Sequence, residues 1–188
     1  MSSQCAAAAK KGNRALGMIK RNFAYKSREV VLKLYKSLVR PHLDYEIQAW
    51  SPHMEKDKTT LEKVQRRATK MIPSLKHLSY EARLSRLHLT LNTRRERADR
   101  IQTYRIMNDI DKIDPDAMFK KAEHQRTRGH SQKFAKSRSR LDIRKFFFSQ
   151  RVVDRWNQLP ESGIKAPTLL CFKQKLSNLG FQWASKPP

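Results

Sequence analysis

The chain has 188 residues, one domain or one and a half by length, and its 41 Lys and Arg against 17 Asp and Glu leave a formal net charge of +24 that points to a polyanionic partner, nucleic acid before all others. Cys5 and Cys171 are the only cysteines, far apart and outside any Cys-x-x-Cys pattern, which argues against a disulfide framework and for a reducing compartment, nuclear or cytoplasmic. No apolar run approaches the roughly 18 residues of a membrane span, no basic helix pairs a one-sided bulky apolar face with a lipidation motif, and 38% hydrophobic residues suffice for a modest core.

The predicted elements are helical throughout. Ser2 or Ser3 caps a first helix that reaches about Asn22, with Leu16, Ile19 and Phe23 on one side. No acid precedes Glu29, so residues 1–28 also have the look of a mitochondrial transit peptide. Ser27 caps a second helix with Val31, Leu34, Tyr35 and Leu38 facing inward, and Pro41 must kink or end it. Helix resumes over His42–Trp50 and stops at Ser51-Pro52. A third helix spans about Asp57 to Met71, with Leu61, Val64, Ala68 and Met71 as its apolar stripe. Ser79 starts a short fourth helix.

Thr93 caps a fifth helix running to about Asn108. It sets Arg94, Arg95, Arg97, Arg100 and Arg105 against a core line of Ala98, Ile101 and Tyr104. Asp114-Pro115 breaks the pattern, and Lys120–Ser139 is polar, basic and without period, which predicts a long, weakly ordered loop. Helix returns at about Ile143–Gln158. Thr168 caps a last helix with Leu169, Phe172, Leu176 and Leu179 inward, and Gly180 stops it. There is no period-2 strand and no internal repeat, so the expected fold is an all-α helical bundle. Its expected parts are residues 1–115, a basic flexible loop over 116–142, and a C-terminal helical hairpin over 143–188 packing on the bundle.

Catalysis has little to work with. Polymerase chemistry needs paired acids holding two metal ions about 4 Å apart, and the chain has no Asp-Asp pair. The nearest acidic group, Asp109, Asp111, Asp114 and Asp116, reads as a solvated loop, since Ile113 and Asp114 stand where a calcium loop wants an oxygen ligand and then Gly. His42, His53, His77, His88, His124 and His130 lack zinc-ligand spacing. No metal site and no cofactor is expected.

Two basic clusters stand out. Lys63, Arg66, Arg67 and Lys70 fall at i, i+3, i+4 and i+7 on one face of the third helix. Like charges at that spacing cost the helix a few tenths of a kcal/mol per pair, by order of magnitude roughly 0.2–0.5. A phosphate backbone alongside removes that cost, whereas a solvated face does not. The second cluster, Arg126, Arg128, Lys133, Lys136, Arg138, Arg140, Arg144, Lys145 and Arg151, meets a single acid, Asp142. It fits phosphate contact, nuclear import or both. Phe148 leads the apolar stripe Phe148, Val152, Trp156 and Leu159 and reads as core, while Phe146 and Phe147 are open to stacking on bases.

The order of residues in Thr127–His130 (TRGH), Arg138–Lys145 (RSRLDIRK), Phe147–Val153 (FFSQRVV) and Trp156–Pro160 (WNQLP) resembles the C-terminal region of reverse transcriptases from non-LTR retrotransposons of the jockey-like and chicken-repeat types. Upstream, Leu16–Phe23 (LGMIKRNF), Tyr35–Tyr45 (YKSLVRPHLDY), Trp50–Pro52 (WSP) and Leu61–Ile72 (LEKVQRRATKMI) resemble the same family in its order. The family often has Cys after the Tyr of the second motif, and here Glu46 stands there.

That resemblance implies the thumb and downstream tail of an RNA-directed DNA polymerase, without its palm and fingers, and no catalysis by this chain on its own. It implies a helical thumb that grips RNA, an RNA–DNA hybrid or DNA through phosphates without sequence choice. Lys63, Arg66, Arg67 and Lys70 would form one contact face and Arg138, Arg140, Arg144 and Lys145 a second. The alternative from another class is a structural, ribosomal-type RNA-binding protein that uses the same basic helices.

Overall fold

The computed structural model describes residues 1–122 and 129–183, with side chains as far as Leu179. Arg126, Thr127, Arg128 and His124 lie outside the described residues. The fold is all-α. Among the described residues the sole β-type pairing is an isolated antiparallel bridge, Lys121 with Phe134. The chain forms two compact units, Met1–Arg95 and Glu96–Pro188.

In the first unit, α1 (Ser2–Asn22) packs against α3 (Arg40–Asp44) and α5 (Glu55–Lys70). Gly12 permits that approach: a Cβ there would sit 3.1 Å from Val64 Cγ1 and 3.3 Å from Leu43 Cδ2. The Ser2 hydroxyl does not cap α1 as expected. It donates instead to the buried Asp57 carboxylate at 2.8 Å, because an otherwise unpaired buried acid has the larger need. Leu16 and Ile19 are buried, and Phe23 at the helix end is exposed. Ser27 caps α2 (Arg28–Leu34) through the Val30 amide, as its position required.

Pro41 does not end the helix. The chain widens into a π-turn over Tyr35–Val39 and continues as α3, which absorbs the missing Pro41 N–H. The break comes later, at Glu46, whose left-handed φ of 47° separates α3 from α4 (Ile47–Trp50). Of the expected α5 stripe Leu61, Val64 and Ala68 are buried, while Met71, just past the helix end, is half-buried. A 3-10 turn at Pro73–Leu75 follows, and α6 (Tyr80–Leu87) is capped by Ser79 through the Ala82 amide.

Helix α7 (Leu91–Met107) starts two residues before the expected cap at Thr93 and spans the boundary between the units. The boundary between the two units falls after Arg95. The reason is that the second half of α7 is tied into the second core: Tyr104 and Ile106 are buried in it. Glu96 pairs with Arg155 at 2.6 Å, Arg97 donates to the Lys173 carbonyl at 2.9 Å, and Asp99 accepts two bonds of 2.9 Å from Arg151. The expected outward line of arginines also has an exception. Arg95 is buried, and loss of solvent pulls its pKa down.

After α8 (Pro115–Met118) the second unit consists of short helices, α9 (Asp142–Lys145), α10 (Phe148–Arg151), α11 (Val153–Asn157) and α12 (Glu161–Ile164), and then the long α13 (Leu169–Trp183). The continuous helix expected over 143–158 is broken at Phe147, whose extended backbone turns Phe148 into the core. Arg151 Nη1 takes up the Phe146 carbonyl left at the break. Thr168 caps α13 through the Cys171 amide, and α13 passes Gly180 without stopping. Leu169, Phe172, Leu176 and Leu179 pack inward.

The described part of the basic loop is pinned. Phe134 stacks on Phe119 at 4.4 Å and on Trp156 at 5.6 Å. Asn157 both accepts from the Phe134 amide and donates to its carbonyl, each at 2.9 Å. His130 is buried, with Nε2 2.9 Å from the Trp156 carbonyl and Nδ1 accepting from the Gln132 amide at 3.1 Å. The Trp156 indole N–H donates to the Gln132 carbonyl at 2.9 Å. A polar, basic segment thus finds order through three side chains of α11 and its neighbours, partners that no local period announces.

Candidate nucleic-acid interface

Helix α5 buries Leu61, Val64, Gln65, Ala68 and Thr69, which leaves Lys63, Arg66, Arg67 and Lys70 exposed. Their surroundings differ. The Arg66 guanidinium lies 4.6 Å over the Tyr80 ring. That ring is fixed from below: its hydroxyl accepts from Gln65 Nε2 at 3.2 Å, and Gln65 Oε1 accepts from the Tyr35 hydroxyl at 2.8 Å. Burial pushes the Tyr80 and Tyr35 phenols above their ordinary value, so both stay protonated and bonded.

Arg67 and Lys70 line a groove of about 670 Å³ between the ends of α1 and α5. Lys20, Lys26 and Lys76 complete its cationic rim, over an apolar floor of Leu16, Gly17, Met71 and Pro73. No carboxylate lines it. Arg67 is held by Asn13 at 2.9 Å. A second cavity shares Lys26 and Pro73 with the groove and is lined by Tyr25 and Arg28. Tyr25 is 76% exposed, an aromatic surface suited to base stacking. Lys63 and Arg66 do not line the groove.

Sequence reasoning passed over Lys20, Lys26 and Lys76. The acid-free stretch before Glu29 was the available signal for Lys20 and Lys26, which the packing of α1 on α5 brings to Arg67 and Lys70, whereas Lys76 lies just past the turn that follows α5.

In the second unit Arg138, Arg140, Arg144 and Lys145 are all exposed. Arg138 and Lys145 line a pocket of about 270 Å³ with Lys136, Ser137, Ser139 and Gln150, and Arg140 and Arg144 do not. Lys136 is paired with Asp154. Lys145 Nζ stands 5.5 Å from the Phe146 ring. Phe148 is core, and Phe147 is 52% exposed beside these cations.

The acidic group has structural work. Asp111 accepts from Arg105 and Gln102, and those bonds, Arg105 first, hold its carboxyl below the usual range. Asp114 caps α8 through the Asp116 amide at 3.0 Å, and Asp116 pairs with Lys121 at 3.0 Å. Among the described residues no three His, Cys, Asp or Glu side chains come together in a way that would hold a metal ion. Cys5 and Cys171 are both free thiols. No helix among the described residues is long and apolar enough to cross a membrane.

Comparison with protein-family models, curated proteins and solved structures finds no match for this chain.

Proposed function

We propose that this chain is a nucleic-acid-gripping segment, the thumb and downstream part of a non-LTR retrotransposon reverse transcriptase. It binds RNA, an RNA–DNA hybrid or DNA through phosphates and carries no polymerase chemistry of its own. The observation that carries the binding reading is the groove rimmed by Lys20, Lys26, Arg67, Lys70 and Lys76 with no carboxylate in its lining. Five cations around one groove repel one another, and a phosphate backbone laid along it relieves that repulsion while releasing counterions. The retroelement reading rests on the ordered motifs, and the contacts of His130 and Asn157 with the Gln132–Phe134 and Trp156 backbone give two of those motifs a common structural purpose. Such a segment acts inside a cell, in the nucleus or cytoplasm, beside the palm and fingers of its parent polyprotein.

Titrating a labelled RNA–DNA hybrid with the protein at several salt concentrations tests the binding. Log affinity should fall linearly with log salt, with a slope of several units at about 0.9 per phosphate contact on duplex. It should fall alike for unrelated sequences. Salt-independent binding, or binding confined to one sequence, overturns the reading.

A further inference from the structure

The pocket formed by Lys136, Ser137, Arg138, Ser139, Lys145 and Gln150 differs from a solvated basic face in one respect. Two polar atoms beside its cations are buried and unpartnered: Ser139 Oγ and Gln150 Oε1. Gln150 is itself only 9% exposed. Buried polar groups are nearly always paired, so a pair of orphans in one cationic pocket points to a ligand that supplies the missing partners.

The chemistry of the orphans narrows that ligand. Lys136, Arg138 and Lys145 stand against one acid, Asp154, which pairs with Lys136. Two positive charges are left unbalanced, so an anion suits the pocket, and the Ser139 hydroxyl is a donor for it. Gln150 Oε1 is different, because it is an acceptor. A phosphodiester at neutral pH carries acceptors only and leaves it unpaired. The ligand needs a hydrogen-bond donor next to its anion. In a nucleic-acid backbone the ribose 2′-hydroxyl is that donor, and deoxyribose lacks it.

We infer that this pocket seats one ribose-phosphate unit of RNA. The phosphate lies among Arg138, Lys145 and the Ser139 hydroxyl, and the 2′-hydroxyl donates to Gln150 Oε1. The inference rests on the nucleic-acid reading and adds a preference to it: the second unit distinguishes RNA from DNA.

The test uses the full chain and three single strands of one mixed sequence, as RNA, DNA and 2′-O-methyl RNA, with affinity read by fluorescence anisotropy at fixed salt. One hydrogen bond is worth about a 2- to 10-fold difference in affinity. RNA should bind tighter than DNA by about that factor. 2′-O-methyl RNA, which keeps the RNA backbone geometry but has no donor, should fall to the DNA level. Gln150→Met, of similar volume, should bring the RNA-to-DNA ratio near one. Arg138→Ala with Lys145→Ala should weaken all three strands and flatten the single-strand salt slope by about 1.4 units, at ~0.7 per contact. Equal binding of RNA and 2′-O-methyl RNA by the unaltered protein overturns the inference without any variant having to fold. An unchanged ratio in a folded Gln150→Met protein overturns it too. If salt-dependent binding persists in those cases, only the pocket fails and the general grip stands. Absence of salt-dependent binding to every strand removes both.

Discussion

The Arg66 guanidinium rests 4.6 Å above the Tyr80 ring, and Tyr80 is anchored by the buried Gln65 amide. An exposed cation is thereby held in place by a core hydrogen-bond chain that begins at Tyr35. Removing only the hydroxyl should separate the two jobs. Tyr80→Phe should cost about 0.5–1.5 kcal/mol in urea unfolding and leave the ring beneath Arg66, so hybrid affinity stays within about twofold. Tyr80→Ala should cost about 3–5 kcal/mol, the usual range for losing a buried aromatic. Equal costs for the two would mean that the ring does no packing.

The groove predicts an effect of lysines that lie outside α5. Replacing Lys20, Lys26 and Lys76 together with Ala should flatten the log–log salt slope on an RNA–DNA hybrid by roughly two to three units, weakening every sequence about equally. Replacing Arg67 and Lys70 should flatten it by about two. A slope unmoved by the lysine triple substitution would confine any contact to α5 itself.

Asn157 serves both backbone groups of Phe134 at 2.9 Å. Asn157→Ala should leave them unpaired in a partly buried place and cost about 1–3 kcal/mol per group left unsatisfied. Asn157→Asp restores the acceptor and not the donor, so its cost should fall between. Chemical unfolding of the three proteins gives the order, and a neutral Asn157→Ala would show that water replaces both bonds.

Glu161 receives Lys165 at 2.9 Å, the Ser131 amide at 2.8 Å and the Ser131 hydroxyl at 2.9 Å. With Lys165 the leading cause, its pKa is held at about 2 against an ordinary 4.5. A carboxyl whose pKa is lower folded than unfolded binds its proton more weakly in the native state. Its stabilisation is complete above about 4.5 and is lost as pH falls toward about 2. Thermal melts of the protein and Glu161→Gln should therefore differ most near pH 6 and converge on acidification. A gap that stays constant from pH 6 to pH 2.5 would contradict the pairing.

A primed RNA template, nucleotides and magnesium should yield no extension above a buffer blank with this chain alone. Template-dependent extension would overturn the proposal that the chain grips nucleic acid without polymerase chemistry, and would call for paired acids other than Asp111, Asp114 and Asp116, which are engaged with Arg105, the Asp116 amide and Lys121.

What the sequence alone determined is what depends on near neighbours along the chain. The caps at Ser27, Ser79 and Thr168 work through amides three residues on, and the stripes of α5 and α13 follow from a period of 3.6, so both were legible. The all-α class and the exposure of Lys63, Arg66, Arg67 and Lys70 follow from the same pattern. Tertiary structure decided whatever depends on partners distant in sequence. Ser2 turns to Asp57, Arg95 goes inward and α7 belongs to two units, because burial elsewhere outweighs a local preference. Lys20 and Lys26 reach Arg67 and Lys70 because α1 packs on α5. His130 and Phe134 are ordered by Trp156 and Asn157 across 23 to 26 residues, and a period along the chain carries no information about which surfaces will meet.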